Sequence, residues 1–193
     1  MSRFTIQATP IAGVYEITRQ IIGDHRGFFS RFFCAEELAA GGFNEPVAQI
    51  NHSFTQRRGT VRGLHFQHPP HGEIKLVSCL AGKVFDVAVD LRRNSPTFLR
   101  WHAVELSAER RNSLLIPKGC AHGFQTLEDD CEMLYLSSTP YAPQAEGGIR
   151  PDDERLAIAW PLAISDCSER DRNHPLLSTD FAGIDLQLQA KAP

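Results

Sequence analysis

Three side chains in this sequence are of the types that move a proton beside a carbonyl group. His65 stands in Arg62-Gly-Leu-His-Phe-Gln67, His122 in Pro117-Lys-Gly-Cys-Ala-His-Gly-Phe124, and Lys75 between the two motifs. A neutral imidazole accepts a proton at physiological pH. A fixed ammonium nearby stabilises the enolate oxygen that develops when that proton leaves carbon. All three residues lie on short strand-like segments, expected to form neighbouring walls of one β-barrel.

The elements that must position them read mostly as strands. Segments 14–17, 27–33, 74–80, 84–91, 101–106, 114–116 and 133–137 are short, rich in β-branched or aromatic residues, and punctuated by Gly, Pro, Asn or Asp. In 84–91 the alternation is clear: Phe85, Val87, Val89 and Leu91 share one face, and Asp86, Ala88 and Asp90 the other. Ala81-Gly-Lys83 reads as a hairpin turn. Only 35–40 reads as a helix, closed by Gly41-Gly42. From about Thr139 onward Pro and acidic residues predict a loop or short-helix wrap over the barrel. Many short strands at close spacing predict an all-β sandwich or barrel with short peripheral helices.

Composition narrows the class. A chain of 193 residues fits one domain, taken as 1–193, with a sizeable core. Its 42% hydrophobic and 22% charged residues are those of an ordinary globular protein. A formal charge of -3 carries no basic footprint, so no nucleic-acid partner is expected. No apolar run approaches a membrane span and no signal peptide is apparent, so a cytoplasmic protein is expected. The five cysteines, Cys34, Cys79, Cys120, Cys131 and Cys167, are scattered and lack C-x-x-C spacing. They are expected to be free, buried or half-buried thiols, with Cys120 structural despite its place in a motif.

Pro117-x-Gly119-x-x-His122 resembles the second signature of the cupin superfamily, in which a tight turn sends a histidine into the barrel. The first signature would carry H-x-H and then a glutamate, followed by six residues and a glycine. Counted back from Gly82, the glutamate position is Lys75, and the histidine positions are Pro69 and His71. A metal site would thus lose a carboxylate and an imidazole and gain a cation. Metal ligands are neutral imidazoles or anions, so organic acid/base chemistry without a metal is expected.

Further motifs sharpen the likeness. Arg62-Gly-Leu-His-Phe-Gln67, Lys75-Leu-Val77, Val84-Phe-Asp-Val-Ala-Val-Asp-Leu-Arg92, Ser95-Pro-Thr97, Ile116-Pro-x-Gly-x-Ala-His-Gly-Phe124 and Ile158-x-Trp-Pro161 occur in order. With Asp24-x-Arg-Gly-Phe28 and Gln49-Ile-Asn51, they resemble the dTDP-4-dehydrorhamnose 3,5-epimerase family over residues 5–172. The resemblance implies a cupin-type antiparallel jelly roll, a nucleotide-diphosphate sugar as substrate, no cofactor, and a homodimer made by exchange of N-terminal strands.

It also implies roles for residues. His65 would be the base, oriented by Asp171 of Ser168-Glu-Arg-Asp171; Lys75 would stabilise the enolate, and Tyr135 would return a proton from the opposite face. Arg62 and Arg26 would hold the diphosphate, with Gln49, Asn51 and His122 lining the pocket. Phe28 would pack near the base and Tyr141 close by, with Arg26 and Phe28 serving the partner's site. Four positions depart from the family's usual pattern: Leu136 and Arg170 where lysine is usual, Arg31 where an acid is usual, and Pro140-Tyr141 where paired tyrosines are common. These departures bear on the nucleotide, the sugar and the number of centres inverted. Three rivals share the barrel: a single-centre epimerase or 3,4-ketoisomerase, a metal-dependent oxygenase using His71, Glu73 and His122, and a non-catalytic sugar-nucleotide-binding cupin.

Overall fold

The computed structural model describes residues 2–187. Its strands in chain order are β1 (Phe4–Ala8), β2 (Tyr15–Arg19), β3 (Ile21–Asp24), β4 (Gly27–Ser30), β5 (Gln49–Thr55), β6 (Thr60–Gln67) and β7 (Lys75–Ala81). They continue as β8 (Lys83–Asp90), β9 (Trp101–Ser107), β10 (Asn112–Ile116), β11 (Cys120–Thr126), β12 (Cys131–Ser137), β13 (Glu146–Gly148) and β14 (Asp166–Cys167). Two short helices, α1 (Ala35–Leu38) and α2 (Glu169–Arg172), lie outside the sheets. No described helix is long and apolar enough to cross a membrane.

One sheet runs β1-β2-β10-β7-β12-β5, and the other runs β13-β6-β11-β8-β9 with β14 beside β6. All the named pairings are antiparallel except β14 with β6, and β3 and β4 form a separate hairpin. The two large sheets bury their facing sides against each other, as a jelly roll must. Val77, Cys79, Leu114, Ile116 and Met133 of the first sheet meet Val84, Ala88, Leu106 and Phe124 of the second. Emptying this core at Phe124 by substitution with Ala would cost about 3–5 kcal/mol.

The outer faces are covered differently. Leu38 of α1 and Phe43 close over Ile17, Leu76, Leu115 and Leu136. Ile149, Leu156 and Ile184, from the predicted wrap, cover Leu64, Val87, Val89 and Leu91. The alternation in β8 is therefore real, and it is Asp86 and Ala88, not Val87 and Val89, that point into the barrel. Gly42 ends the helical turn in the left-handed region at φ 96°, as its sequence position predicts. All five cysteines are free, four of them buried and Cys34 half-buried. Burial pushes the Cys120 thiol up to about 12, which suits a structural residue.

Three expectations need correcting. The turn Ala81-Gly-Lys83 is not a hairpin, because β7 and β8 belong to opposite sheets and the chain crosses between them. The strand expected over 27–33 ends at Ser30. His65 on β6 and His122 on β11 are indeed neighbours, paired across the ladder, but Lys75 on β7 faces them from the other sheet.

Candidate active site

Between the two sheets lies a cavity of about 530 Å³ lined by His65, Lys75, His122, Tyr135 and Asp171, with Arg62, Gln49, Asn51 and Tyr141. His65 is brought there by an unusually close approach of β6 and β11. Gly63 has φ 124°, and a Cβ on it would meet the Gly123 Cα at 2.6 Å, so only glycine fits. The same Gly63 presents its amide to Asp171. That carboxylate accepts from Gly63 N at 3.0 Å through Oδ2 and from His65 Nε2 at 2.8 Å through Oδ1. Ser168 caps α2 by accepting from the Asp171 amide at 3.0 Å, which holds the aspartate in place.

Asp171 is 2% exposed. Burial alone would raise its carboxyl, but the bonds from His65 and the Gly63 amide outweigh it and hold the group well below the usual carboxylate range. A charged carboxylate only accepts, so His65 Nε2 carries the proton and Nδ1 keeps the lone pair. The Asp171 contact is shorter than the 3.2 Å approach of the donor-only Arg170 Nη2 to the same nitrogen, and it selects the tautomer that leaves Nδ1 free to act as a base.

The opposite wall belongs to the other sheet. Tyr135 on β12 lies 3.0 Å from Ser53 Oγ on β5, and burial keeps its phenol well above its ordinary value, hence protonated. Lys75, half-buried, pairs with Glu73 at 3.0 Å. Deeper in the barrel His122 Nε2 lies 2.9 Å from Asp86 Oδ2, and both residues are buried. Desolvation pushes the Asp86 carboxyl up, against the pull of His122 and Lys75, and its Oδ1 has no partner. The cavity thus sets an imidazole with a free lone pair on one sheet against a protonated phenol and an ammonium on the other.

The family model described as dTDP-4-dehydrorhamnose 3,5-epimerase matches residues 8–179. The chain belongs to this family. An enzyme of that name from Salmonella typhimurium is 43% identical over 173 residues, covering 88% of this chain and 93% of its own. The solved epimerase of Legionella pneumophila, in complex with dTDP-4-keto-L-rhamnose, superposes with a TM-score of 0.86 at 39% identity, covering 94% of this chain and 98% of its own. A 3'-monoepimerase from Streptomyces bikiniensis, in complex with dTDP-quinovose, gives 0.83 at 34% identity, covering 96% and 95%. Membership in the epimerase family brings the jelly-roll fold and the isomerase class with it.

Within this epimerase fold most of the residues named from sequence converge. His65, Lys75, Tyr135, Asp171, Arg62, Gln49, Asn51, His122 and Tyr141 all line the one cavity. Arg26 and Phe28 do not. Arg26 lies at the tip of the β3–β4 hairpin, 78% exposed and paired with Asp24 at 2.6 Å, and Phe28 is 56% exposed beneath the Arg111 guanidinium. Neither residue lines the chain's own cavity. Of the oxygenase ligands, His71 does not line the cavity and Glu73 is spent on Lys75.

Three residues at or beside the site had no role assigned from sequence: Asp86, which pairs with the cavity-lining His122, and Glu146 and Arg170, which line the cavity, Arg170 being noted only as a departure. Tyr141 donates to Glu146 at 2.9 Å, Glu146 accepts from Arg170 at 3.1 Å, and Arg170 donates to Asp171 at 3.3 Å. The signal for Asp86 was present, since an acid alternating with Val84 and Ala88 is poorly placed on an apolar strand. Glu146 opens the three-residue strand β13 and Arg170 lies in the one-turn helix α2, elements too short to carry such a pattern.

Proposed function

We propose that this chain inverts C3 and C5 of dTDP-4-dehydro-6-deoxyglucose, the reaction in the family's name, with His65 as base and Tyr135 as acid. The C4 ketone acidifies the hydrogens on both neighbouring carbons. His65 Nδ1 takes one such proton, and the C–H electron pair moves to the C4 oxygen as an enolate. Lys75 and His122 stabilise that oxygen. Tyr135 then delivers its hydroxyl proton to the other face of the same carbon as the carbonyl re-forms. The resulting imidazolium and phenolate exchange protons with solvent before the second centre reacts. Arg62, with Gln49 and Asn51, meets the nucleotide diphosphate at the cavity mouth, where a guanidinium fork matches phosphate oxygens.

The observation that carries the reading is the opposition of His65 and Tyr135 across the cavity from two different sheets. Inversion needs an acceptor and a donor on opposite faces of one carbon, and a racked pair on a single wall would only exchange the proton. The decisive test is deuterium wash-in compared with product formation for wild type and Tyr135→Phe. With His65 intact, exchange with solvent should persist while inversion falls by about 10²-fold or more. Equal losses in both would remove Tyr135 as the acid.

The active enzyme is read as a homodimer in which each β3–β4 hairpin reaches the partner's cavity. Ile21, Ile22, Phe28 and Phe29 of the hairpin are exposed in the single chain, a concentration of apolar surface that favours association. Mixed dimers of His65→Ala and Arg26→Ala chains test this, because one site in each mixed pair is then whole. Activity should reappear on mixing two impaired proteins, and its failure to do so would return Arg26 to a purely local role.

A further inference from the structure

His174 follows α2 and turns its ring back toward the base. A side chain at Gly148, which pairs with His65 across β13 and β6, would run into that ring, so glycine leaves the slot it occupies. The His174 and His65 rings meet edge to face with centroids 5.7 Å apart. His174 Nε2 is buried, has no hydrogen-bond partner, and lies 3.8 Å from Asp171 Oδ1. The epimerase chemistry proposed above makes no use of it.

One ring nitrogen of His65, one of His174 and a carboxylate oxygen of Asp171 lie within 4.8 Å of one another, and both Nε2 atoms approach Asp171 Oδ1. Two imidazoles and a carboxylate are a donor set that suits Zn²⁺. With metal–ligand bonds of about 2.0–2.2 Å, neighbouring donors of a tetrahedral site stand roughly 3.4 Å apart. The two edges to Asp171, 2.8 and 3.8 Å, straddle that spacing. Arg170 would have to withdraw, since its Nη2 lies 3.2 Å from His65 Nε2. It is 54% exposed and already bonded to Glu146, which gives its guanidinium a place to go.

We propose that His65, Asp171 and His174 form a site for a divalent transition metal, zinc above all, and that filling it silences the enzyme. The inhibitory half rests on the reading of His65 as base. A metal on Nε2 takes that nitrogen's lone pair, so the one proton of the neutral ring must sit on Nδ1. The nitrogen facing the substrate then has no lone pair with which to take a proton from carbon. Resting activity needs no metal, and only an excess of zinc stops it.

The test uses full-length protein stripped with EDTA, which should retain turnover. Adding Zn²⁺ should inhibit it, EDTA should restore it, and Mg²⁺ should do nothing, because nitrogen donors suit it poorly. Co²⁺, added without substrate, should give the visible absorption of a tetrahedral nitrogen–oxygen site. His174→Phe and, as a polar replacement less demanding of the fold, His174→Gln should keep metal-free turnover near wild type. Both should raise the Zn²⁺ concentration for half-inhibition by about tenfold or more and weaken the Co²⁺ spectrum. Equal zinc sensitivity in wild type and either folded variant, or no Co²⁺ band in wild type, overturns the site. A Co²⁺ band that depends on His174, with turnover unaffected by the metal, would keep the site and overturn His65 as base.

Discussion

Two imidazole–carboxylate pairs stand in this barrel, and they are nearly the same length. His65–Asp171 measures 2.8 Å and His122–Asp86 2.9 Å. Their carboxylates nevertheless respond in opposite directions. Asp171 accepts from His65 and from the Gly63 amide and is held low, whereas Asp86 has His122 alone, leaves one oxygen unpartnered, and is pushed up by burial. The lesson is that the balance between desolvation and hydrogen-bond donors, more than distance to the imidazole, decides whether a buried carboxylate is held ionised. The rim pair is thereby set as a charged anchor for a base of defined tautomer. The interior pair sits where charge is costly, which suits a group that responds when an enolate develops beside it.

The largest test of this contrast removes the rim imidazole. His65→Ala should lower turnover by roughly 10²–10⁴-fold, the usual worth of a positioned general base. Nucleotide binding, followed by calorimetry with dTDP, should survive because Arg62, Gln49 and Asn51, proposed above to meet the diphosphate, are untouched. Near-normal turnover would end the assignment.

Asp171→Asn comes next. An amide nitrogen offered to Nε2 would favour the tautomer with its proton on Nδ1, so turnover should fall by about 10²-fold or more with little change in KM. The linkage is also distinctive. The folded pKa of Asp171 lies below its unfolded value near 3.9, so the stabilisation it contributes is complete above that pH and is lost as pH falls through the folded value. Thermal unfolding of wild type and variant should therefore differ most at pH 5–7 and converge in stronger acid, within roughly the range set by that value.

Asp86→Asn should have the smallest effect, about tenfold or less on turnover. Its stability signature should run the other way. A carboxyl whose folded pKa is raised opposes folding as pH climbs from the unfolded value through the folded one. The variant's Tm relative to wild type should therefore improve as pH rises above about 4, the unfolded carboxyl value. A Tm difference constant across that range would mean that Asp86 is not strained by its burial.

Local signals carried a good deal of this. The strands that bear Lys75 and Tyr135 follow from β-branched or aromatic residues and turn signals, which act over a few positions and are visible in the chain itself, whereas those of His65 and His122 were legible only as strand-like motif segments. The alternation in β8 was equally plain, yet it left open which face was inside, because Val87 and Val89 look like core and do form one, under the C-terminal wrap. The crossing at Gly82 was misread as a hairpin for a related reason: a tight turn looks alike whether the next strand pairs with the last or joins the opposite sheet.

The sequence alone determined the chemical types available, the strand-rich architecture and, through many motifs in order, the family. The family motifs implied that Asp171 orients His65, and the fold brings the two together across 106 positions. Only the tertiary structure decided the other partnership, Asp86 with His122 across 36 positions. It was also the fold that left Arg26 and Phe28 out of the lining of their own cavity and seated His174 beside the base. Such contacts depend on strand order, sheet stacking and the close approach allowed at Gly63 and Gly148. Those are properties of the packed whole, and no short stretch of residues encodes them.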